Sequence, residues 1–283
     1  MPIGKIGAAI LLSVLAFVGL VGGSRAEDAA FIPSFWDPNP RLAKPDTSAI
    51  RLIRFLATDD YPPFDFALPD GALTGFSVDL ARAVCEELQV ACTVQARRWD
   101  TLAGALAENK GDALIAGLAV TERSREKFAF TRPYMLLPGR FVVRAGKAPA
   151  EAATPEKLAA TRTGVVKDSA HAAWLEVYFP KLALTRYDSV DAQREALAKG
   201  EVDAIFGDGV SLAGWLNGSG SKACCAFLGG PFIDRAYFGE GLAIAVRKNN
   251  PALRQALDYG LARLAERGVY AELYLKYFPV GAF

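Results

Sequence analysis

From Ile50 onward, short strand-like runs of apolar residues alternate with longer stretches whose apolar residues recur every three or four positions. The strand-like runs are 54–58, 92–96, 113–116, 141–143, 162–166, 204–206 and 242–246; the helical patterns cover 76–88, 99–108, 170–179, 190–199 and 251–276. This alternation of periods predicts an α/β fold with largely parallel sheets. Gly75 and Ser77 ahead of the first helix, and Asp188-Ser189 ahead of the fourth, supply turn and N-cap chemistry. Two helix-to-strand joints are alike, ALAENKGDALIAG and ALAKGEVDAIFGD. Each places Gly and Asp ahead of a short apolar strand and leads to that strand's C-terminal end, where open α/β sheets hold ligands. Two such joints suggest two ligand-facing strand ends; a recurrent loop solution without functional meaning explains the joints equally well.

The first 26 residues read as a secretory signal peptide: Lys5 supplies the positive start, residues 6–21 are nearly all apolar, and Ser24-Arg25-Ala26 ends in a small residue. The apolar run is shorter than the roughly 20 residues a membrane anchor needs, and no cysteine follows it to carry a lipid. A secreted protein cleaved near Ala26 is the expectation. Of 32 basic and 31 acidic residues, cleavage removes Lys5 and Arg25, leaving 30 against 31 and a net charge of −1. With no Lys/Arg cluster, that balance argues against a nucleic-acid or other polyanionic partner. The remaining 257 residues or so suit two lobes of roughly 100–150 residues each. Residues 27–49, rich in proline and polar residues, read as an extended arm in which Phe35-Trp36 packs on the domain or serves a partner. Cys85 and Cys92 flank the end of a helix, a spacing that can bridge its last turn to the next strand in an oxidising compartment. Adjacent Cys224-Cys225 leave a strained ring and two buried thiols as open alternatives. The single histidine, His171, is distant in sequence from every cysteine, so no metal site is expected.

The segments RFLATDDYPPFDF, GALTGFSVDLARAVCEEL and GDALIAGLAVTERSREKFAFTRPY, together with the ending YAELYLKYFPVGAF, occur in an order and at intervals that matter jointly. Over roughly residues 50–280 they resemble the periplasmic solute-binding proteins of family 3, the polar amino-acid type that serves ABC transporters. The resemblance implies a type II, two-lobed α/β fold in which mostly parallel mixed sheets are flanked by helices and joined by a two-strand hinge. It divides the chain into a signal peptide (1–26), an arm (27–49), lobe 1 (50–140 and 236–283) and lobe 2 (141–235). The implied function is capture of an amino acid or similar small zwitterion in the periplasm by hinge closure, for delivery to a permease at the inner membrane. The implied protein is a monomer without cofactor or catalytic activity, with a disulfide between Cys85 and Cys92.

A buried carboxylate calls for a guanidinium or backbone N–H groups. The family's arginine stands three residues after the threonine matching Thr121; here that position is Ser124, between Arg123 and Arg125, and Arg125 is taken for the role. On the strand before it, Ala116, Gly117 and Ala119 stand where the family has hydroxyls, leaving only their backbone to contribute. Asp208 matches the ammonium-binding position. The GVVKDSAH turn resembles the family's G-x-x-x-G-[ST] loop, with Ser169 at the hydroxyl and Asp168 in place of glycine. Tyr61 and Trp99 match the aromatic walls, although both also suit ordinary half-buried positions. Asp59 and Asp60 lie at the mouth, where they favour a cationic or amide side chain or cap the turn. His171 is open between a polar ligand contact and a structural role. Two rivals remain: an accessory protein of a periplasmic quinone-dependent dehydrogenase, which fits the altered arginine spacing and the arm, and a cyclohexadienyl-dehydratase-like enzyme, which needs an acid in the cleft.

Overall fold

In the computed structural model, residues 42–118, 120–146, 153–159, 161–279 and 281–282 are described. The signal peptide, Phe35-Trp36 with most of the arm, and Ala119 lie outside them.

The chain opens with β1 (Leu52–Ala57) and a small antiparallel sheet of β2 (Asp60–Tyr61), β3 (Asp65–Ala67) and β4 (Leu73–Thr74). It continues through α1 (Phe76–Leu88), β5 (Ala91–Ala96), α2 (Trp99–Ala107), β6 (Ala113–Leu114), α3 (Glu122–Lys127) and β7 (Phe128–Phe130). Helix α1 buries Phe76, Leu80, Ala81, Val84 and Leu88, the face that its three-and-four spacing foretells. It begins at Gly75, whose φ of +123° and close approach to Phe64 O (a Cβ would lie 2.2 Å away) admit no larger residue. Phe76 N and Ser77 N then donate to the carbonyls of Pro63 and Phe64, both at 2.8 Å, fastening the Tyr61–Phe64 turn onto the helix.

A second lobe follows: β8 (Gly139–Arg144), α4 (Pro155–Leu158), β9 (Arg162–Val166), α5 (Ala170–Tyr178), β10 (Ala183–Tyr187), α6 (Val190–Lys199), β11 (Ala204–Asp208), α7 (Gly209–Asn217), β12 (Cys225–Phe232) and α8 (Arg235–Phe238). The chain returns with β13 (Ala245–Arg247), α9 (Pro251–Glu266) and α10 (Val269–Tyr277). The two main sheets share one plan, β5-β1-β6-β13-β7 and β10-β9-β11-β8-β12, each with three parallel strands followed by two reversals of direction. In each, the fourth strand is the one arriving from the other lobe. Parallel strands covered by helices are the predicted α/β arrangement.

Between the sheets the two crossing segments pair once, where Tyr134 N donates to Leu242 O (2.8 Å) and Leu242 N to Met135 O (2.7 Å). Buried Arg140 ties this region to the C-terminal end: it donates to Ala282 O (2.8 Å) and Gly229 O (3.0 Å) and lies 4.1 Å from the centre of the Phe227 ring. Lobe 1 closes on an aromatic core in which Phe76 meets Tyr270 and Phe278 edge-on at 5.7 and 5.4 Å.

Three differences from the sequence reading have local causes. The single helix expected over 251–276 breaks at Gly268, whose left-handed φ of +77° separates α9 from α10. Strand β10, largely solvent-facing at the sheet edge, lacks the apolar run used to find strands. The cysteines pair differently: Cys224 and Cys225 are bonded to each other, whereas Cys85 and Cys92, expected as a disulfide, are free thiols. The end of α1 brings those two together as predicted, but as hydrogen-bonded neighbours; their contact holds the Cys85 thiol up and the Cys92 thiol down.

Candidate functional site

Both candidate half-sites lie where a joint delivers its strand. In lobe 1, β1 leads into Thr58, whose N and Oγ1 donate to Oδ2 of fully buried Asp65 at 2.8 and 2.5 Å. Burial pushes the Asp65 carboxyl up despite the Thr58 bonds, and its Oδ1 has no hydrogen-bond partner. Above this pair the turn through the cis Pro62–Pro63 peptide presents Tyr61, stacked on Phe64 at 5.1 Å. Trp99 stands at the first position of α2. Both rings show large faces to solvent, at 46% and 54% exposure, an uncommon state for such residues without a partner. Gly117, after β6, has a left-handed φ of +71° that lets the backbone turn beneath Tyr61. Thr58, Asp60, Tyr61, Trp99, Ala116 and Gly117 line a cavity of about 440 Å³.

The lobe 2 half-site is smaller, about 150 Å³, and sits among the ends of β9 and β11 and the starts of α5, α6 and α7. Ser169 caps α5 by accepting from Ala172 N (3.1 Å) and donates to Val166 O (2.7 Å). Asp168, just before it, has φ +53°, a left-handed conformation that Asp tolerates better than most residues and that explains the family's glycine there. His171 stacks on Phe238 at 4.9 Å; burial lowers its pKa to about 4, so the ring is neutral at pH 7. Asp208 caps α7, accepting from Ser211 N at 2.6 Å, and burial raises its pKa to about 6. Buried Gln193 holds the floor by donating to Gly164 O and Phe206 O, both at 2.9 Å. Arg194 donates Nη2 to Ser211 O (2.9 Å) and Oγ (2.8 Å). The Tyr61 hydroxyl is pushed up to about 12, first by burial and then by the charges of Asp208 and Asp65.

The structure thus gathers Tyr61, Trp99 and Gly117 in one half-site and Ser169, His171 and Asp208 in the other. Asp60 lines the lobe 1 cavity, while Asp59 is exposed beside it. Thr121 is occupied as the N-cap of α3 in a capping box with Ser124, the residue at the family's arginine position. Arg125 lines neither half-site. About half exposed, it is ion-paired with Glu240 and lies 5.8 Å from the Phe130 ring centre, so its charge is spent on a contact from the returning chain. Thr58, Gln193 and Arg194 were missed. The hydroxyl of Thr58 at the end of an apolar run was a usable signal; VDAQREALAK gave none, since it reads as an ordinary surface helix. Among the described residues no cluster of His, Cys, Asp or Glu is arranged to hold a metal, and no helix is long and apolar enough to cross a membrane.

Residues 53–280 match the family described as bacterial extracellular solute-binding proteins, family 3. The L-arginine-binding protein of Pseudomonas aeruginosa is 32% identical over 246 residues, covering 86% of this chain and 93% of the relative. ABC transporter arginine-binding protein 1 of Escherichia coli is 31% identical over 232 residues, covering 82% and 93%. Among solved structures, an ancestral cationic amino acid solute-binding protein superposes with a TM-score of 0.64 at 26% identity, covering 81% of this chain and 96% of that one. With the fold, the paired half-sites and a match over most of its length in agreement, the chain belongs to family 3 of the bacterial extracellular solute-binding proteins.

Proposed function

We propose that the protein is a periplasmic receptor that closes its lobes on a small amino acid, preferring a cationic side chain, and presents the closed form to an ABC transporter. One observation supports this reading: each lobe carries a cavity at the end of a central strand, β6 or β11, with Tyr61 and Trp99 lining one and Asp208 the other. Tyr61 and Trp99 flank the ligand side chain, and Asp60, with Asp59 at the mouth, attracts its positive end by charge and by the ring faces. Asp208 takes the α-ammonium. Backbone groups at Gly117 and the Ser169 hydroxyl complete the contacts, while Thr121 shapes the approach from α3. Relatives named for arginine and for cationic amino acids support the preference. Closure turns on the segments 136–138 and 233–241, and ligand contacts made by both lobes favour the closed state by a few kcal/mol. The first 26 residues act as a cleaved export signal, and the mature receptor works as a monomer.

A second reading, an accessory protein that has lost amino-acid binding, draws on Ser124 at the arginine position and on the engagement of Arg125 with Glu240. A thermal-melt screen of refolded mature protein against the twenty amino acids and ornithine separates the two. A ligand at 100 times its Kd adds about 2.7 kcal/mol, visible as several degrees. A shift with arginine, lysine, ornithine or histidine supports the receptor; a flat panel sinks it and favours the accessory role. Mass analysis of the same mixtures is expected to show no turnover.

A further inference from the structure

The two half-sites carry an unequal set of charges. Among the described residues, Asp60 is the one charged side chain lining the lobe 1 cavity. The lobe 2 cavity is lined by both Asp208 and Arg194, and its histidine sits stacked on Phe238. Among the described residues Arg194 is therefore the single cationic side chain lining either cavity, and Arg125 is committed to Glu240. A carboxylate taken out of water needs a cation or several N–H donors, and leaving it without them is costly.

Arg194 is built like a receptor for one. Its side chain is only 17% exposed, and it is braced by the two Nη2 bonds to Ser211 and by the Trp215 ring, whose centre lies 5.8 Å away. Its other donors are unspent: Nε has no acceptor, and Nη1 meets only Asp191, at 3.8 Å, whose side chain is 96% exposed. A guanidinium held in one orientation with spare donors loses little entropy on accepting a carboxylate. Ser211 also sets its distance from Asp208, since its N–H is bonded to Asp208 Oδ1 (2.6 Å) and its C=O to Arg194 (2.9 Å). Among the described residues no ion pair joins Arg194 to Asp208. A cation and an anion thus share the wall of one small cavity, spaced by a serine and not neutralised by direct contact. A zwitterionic head group has the complementary pair, and about 150 Å³ equals roughly five water volumes, room for an ammonium and a carboxylate on one carbon.

We propose that Arg194 receives the ligand's α-carboxylate, so that lobe 2 alone reads the zwitterionic head while lobe 1 reads the side chain. This rests on the receptor reading above. It assigns the carboxylate to a helix α6 residue in place of the lobe 1 arginine that the resemblance implied.

The test is calorimetric titration of the wild type, Arg194→Met and Arg125→Ala with the twenty L-amino acids and, for each that binds, its α-amide, which keeps the ammonium and removes the negative charge. The wild type should prefer the acid over the amide strongly. Arg194→Met should weaken acid binding about 100-fold while leaving amide binding nearly unchanged, so the preference collapses; Arg125→Ala should keep it. If Arg194→Met fails to fold by circular dichroism, Arg194→Lys decides, and should retain the preference at lower affinity. An unchanged acid-to-amide ratio in Arg194→Met, or its loss in Arg125→Ala alone, overturns the assignment and leaves the receptor standing. A wild type that binds no amino acid overturns the receptor reading and this assignment with it.

Discussion

Arg54 and Asp112 in lobe 1, and Arg162 and Asp203 in lobe 2, make the same clamp at the same point of the two joints. In each, Nε and Nη2 of the arginine reach the two carboxylate oxygens of the aspartate at 2.9–3.0 Å, and the arginine's backbone N–H reaches the same carboxylate. The clamp ties the second strand of each sheet, β1 or β9, to the turn before its third, and so aims β6 at Gly117 and β11 at Asp208. In lobe 1 a second arginine, Arg247 from β13, also reaches Asp112 at 3.3 Å, and the Asp112 side chain is 17% exposed. In lobe 2 the corresponding Arg144 from β8 packs against Gly200 and acts on Asp203 only at longer range, and the Asp203 side chain is 43% exposed. The same local sequence therefore yields different anchoring strengths, because burial and a third partner are set by the strand that arrives from the other lobe. The half-sites diverge likewise, with exposed rings and an acid in lobe 1 and a confined acid and arginine in lobe 2.

The sharpest way to break this comparison is to remove the two aspartates. Asp112→Ala leaves two arginines without their partner and should cost about 3 kcal/mol in urea unfolding. If it costs no more than Asp203→Ala, the ranking of the joints is wrong.

The next effect is a pair of opposed acid slopes within lobe 2. His171, with its folded pKa lowered from 6.5 to about 4, is neutral when folded; its contribution is lost as pH falls from about 6.5 to 4, because the unfolded chain takes up the proton first. Asp208, with its folded pKa raised from 3.8 to about 6, acts the other way: its contribution is full below 3.8 and lost as pH rises through 6. Each is worth about 1–3 kcal/mol. Stability measured from pH 6.5 to 4 should therefore fall more steeply in Asp208→Asn than in the wild type and less steeply in His171→Asn. Identical slopes in all three proteins would show that neither group is perturbed.

Ligand affinity should move against the Asp208 stability term, because only the ionised carboxylate attracts an ammonium. Calorimetry should show binding weakening as pH drops below about 6, with protons released on binding near that pH. A flat profile would remove Asp208 from the site. A smaller loss, about tenfold, is expected for Trp99→Ala, and it should fall more heavily on cationic than on neutral amino acids. The least effect belongs to Asp203→Ala, about 0.5 kcal/mol for an exposed pair in the same urea series.

Much of this was legible before any coordinates. The alternation of periods carried the α/β class, and the two joints identified where the half-sites stand, because a joint's clamp and turn lie within a few residues of the strand they aim. The placement of Tyr61, Trp99 and Asp208 beside the cavities was readable for the same reason: each sits at the end of an element whose direction the local pattern determines. The engagement of Arg125 was not legible because its partner, Glu240, lies 115 residues further along, on the returning chain. Arg194 went unseen because a helix's outward pattern does not tell which exposed side a neighbouring helix will later enclose. The cysteines divide the same way: spacing brought Cys85 and Cys92 together but did not decide the state of their sulfurs.

By itself, then, the sequence determined the class of fold, its division into two lobes around a cleft, and the family, since strand and helix periods and turn residues act over a few neighbours. Only the tertiary structure decided which charges are free to meet a ligand. A charge is free or spent according to what packs against it, and the packing partners of Arg125, Arg194 and Asp112 are all brought in from distant parts of the chain.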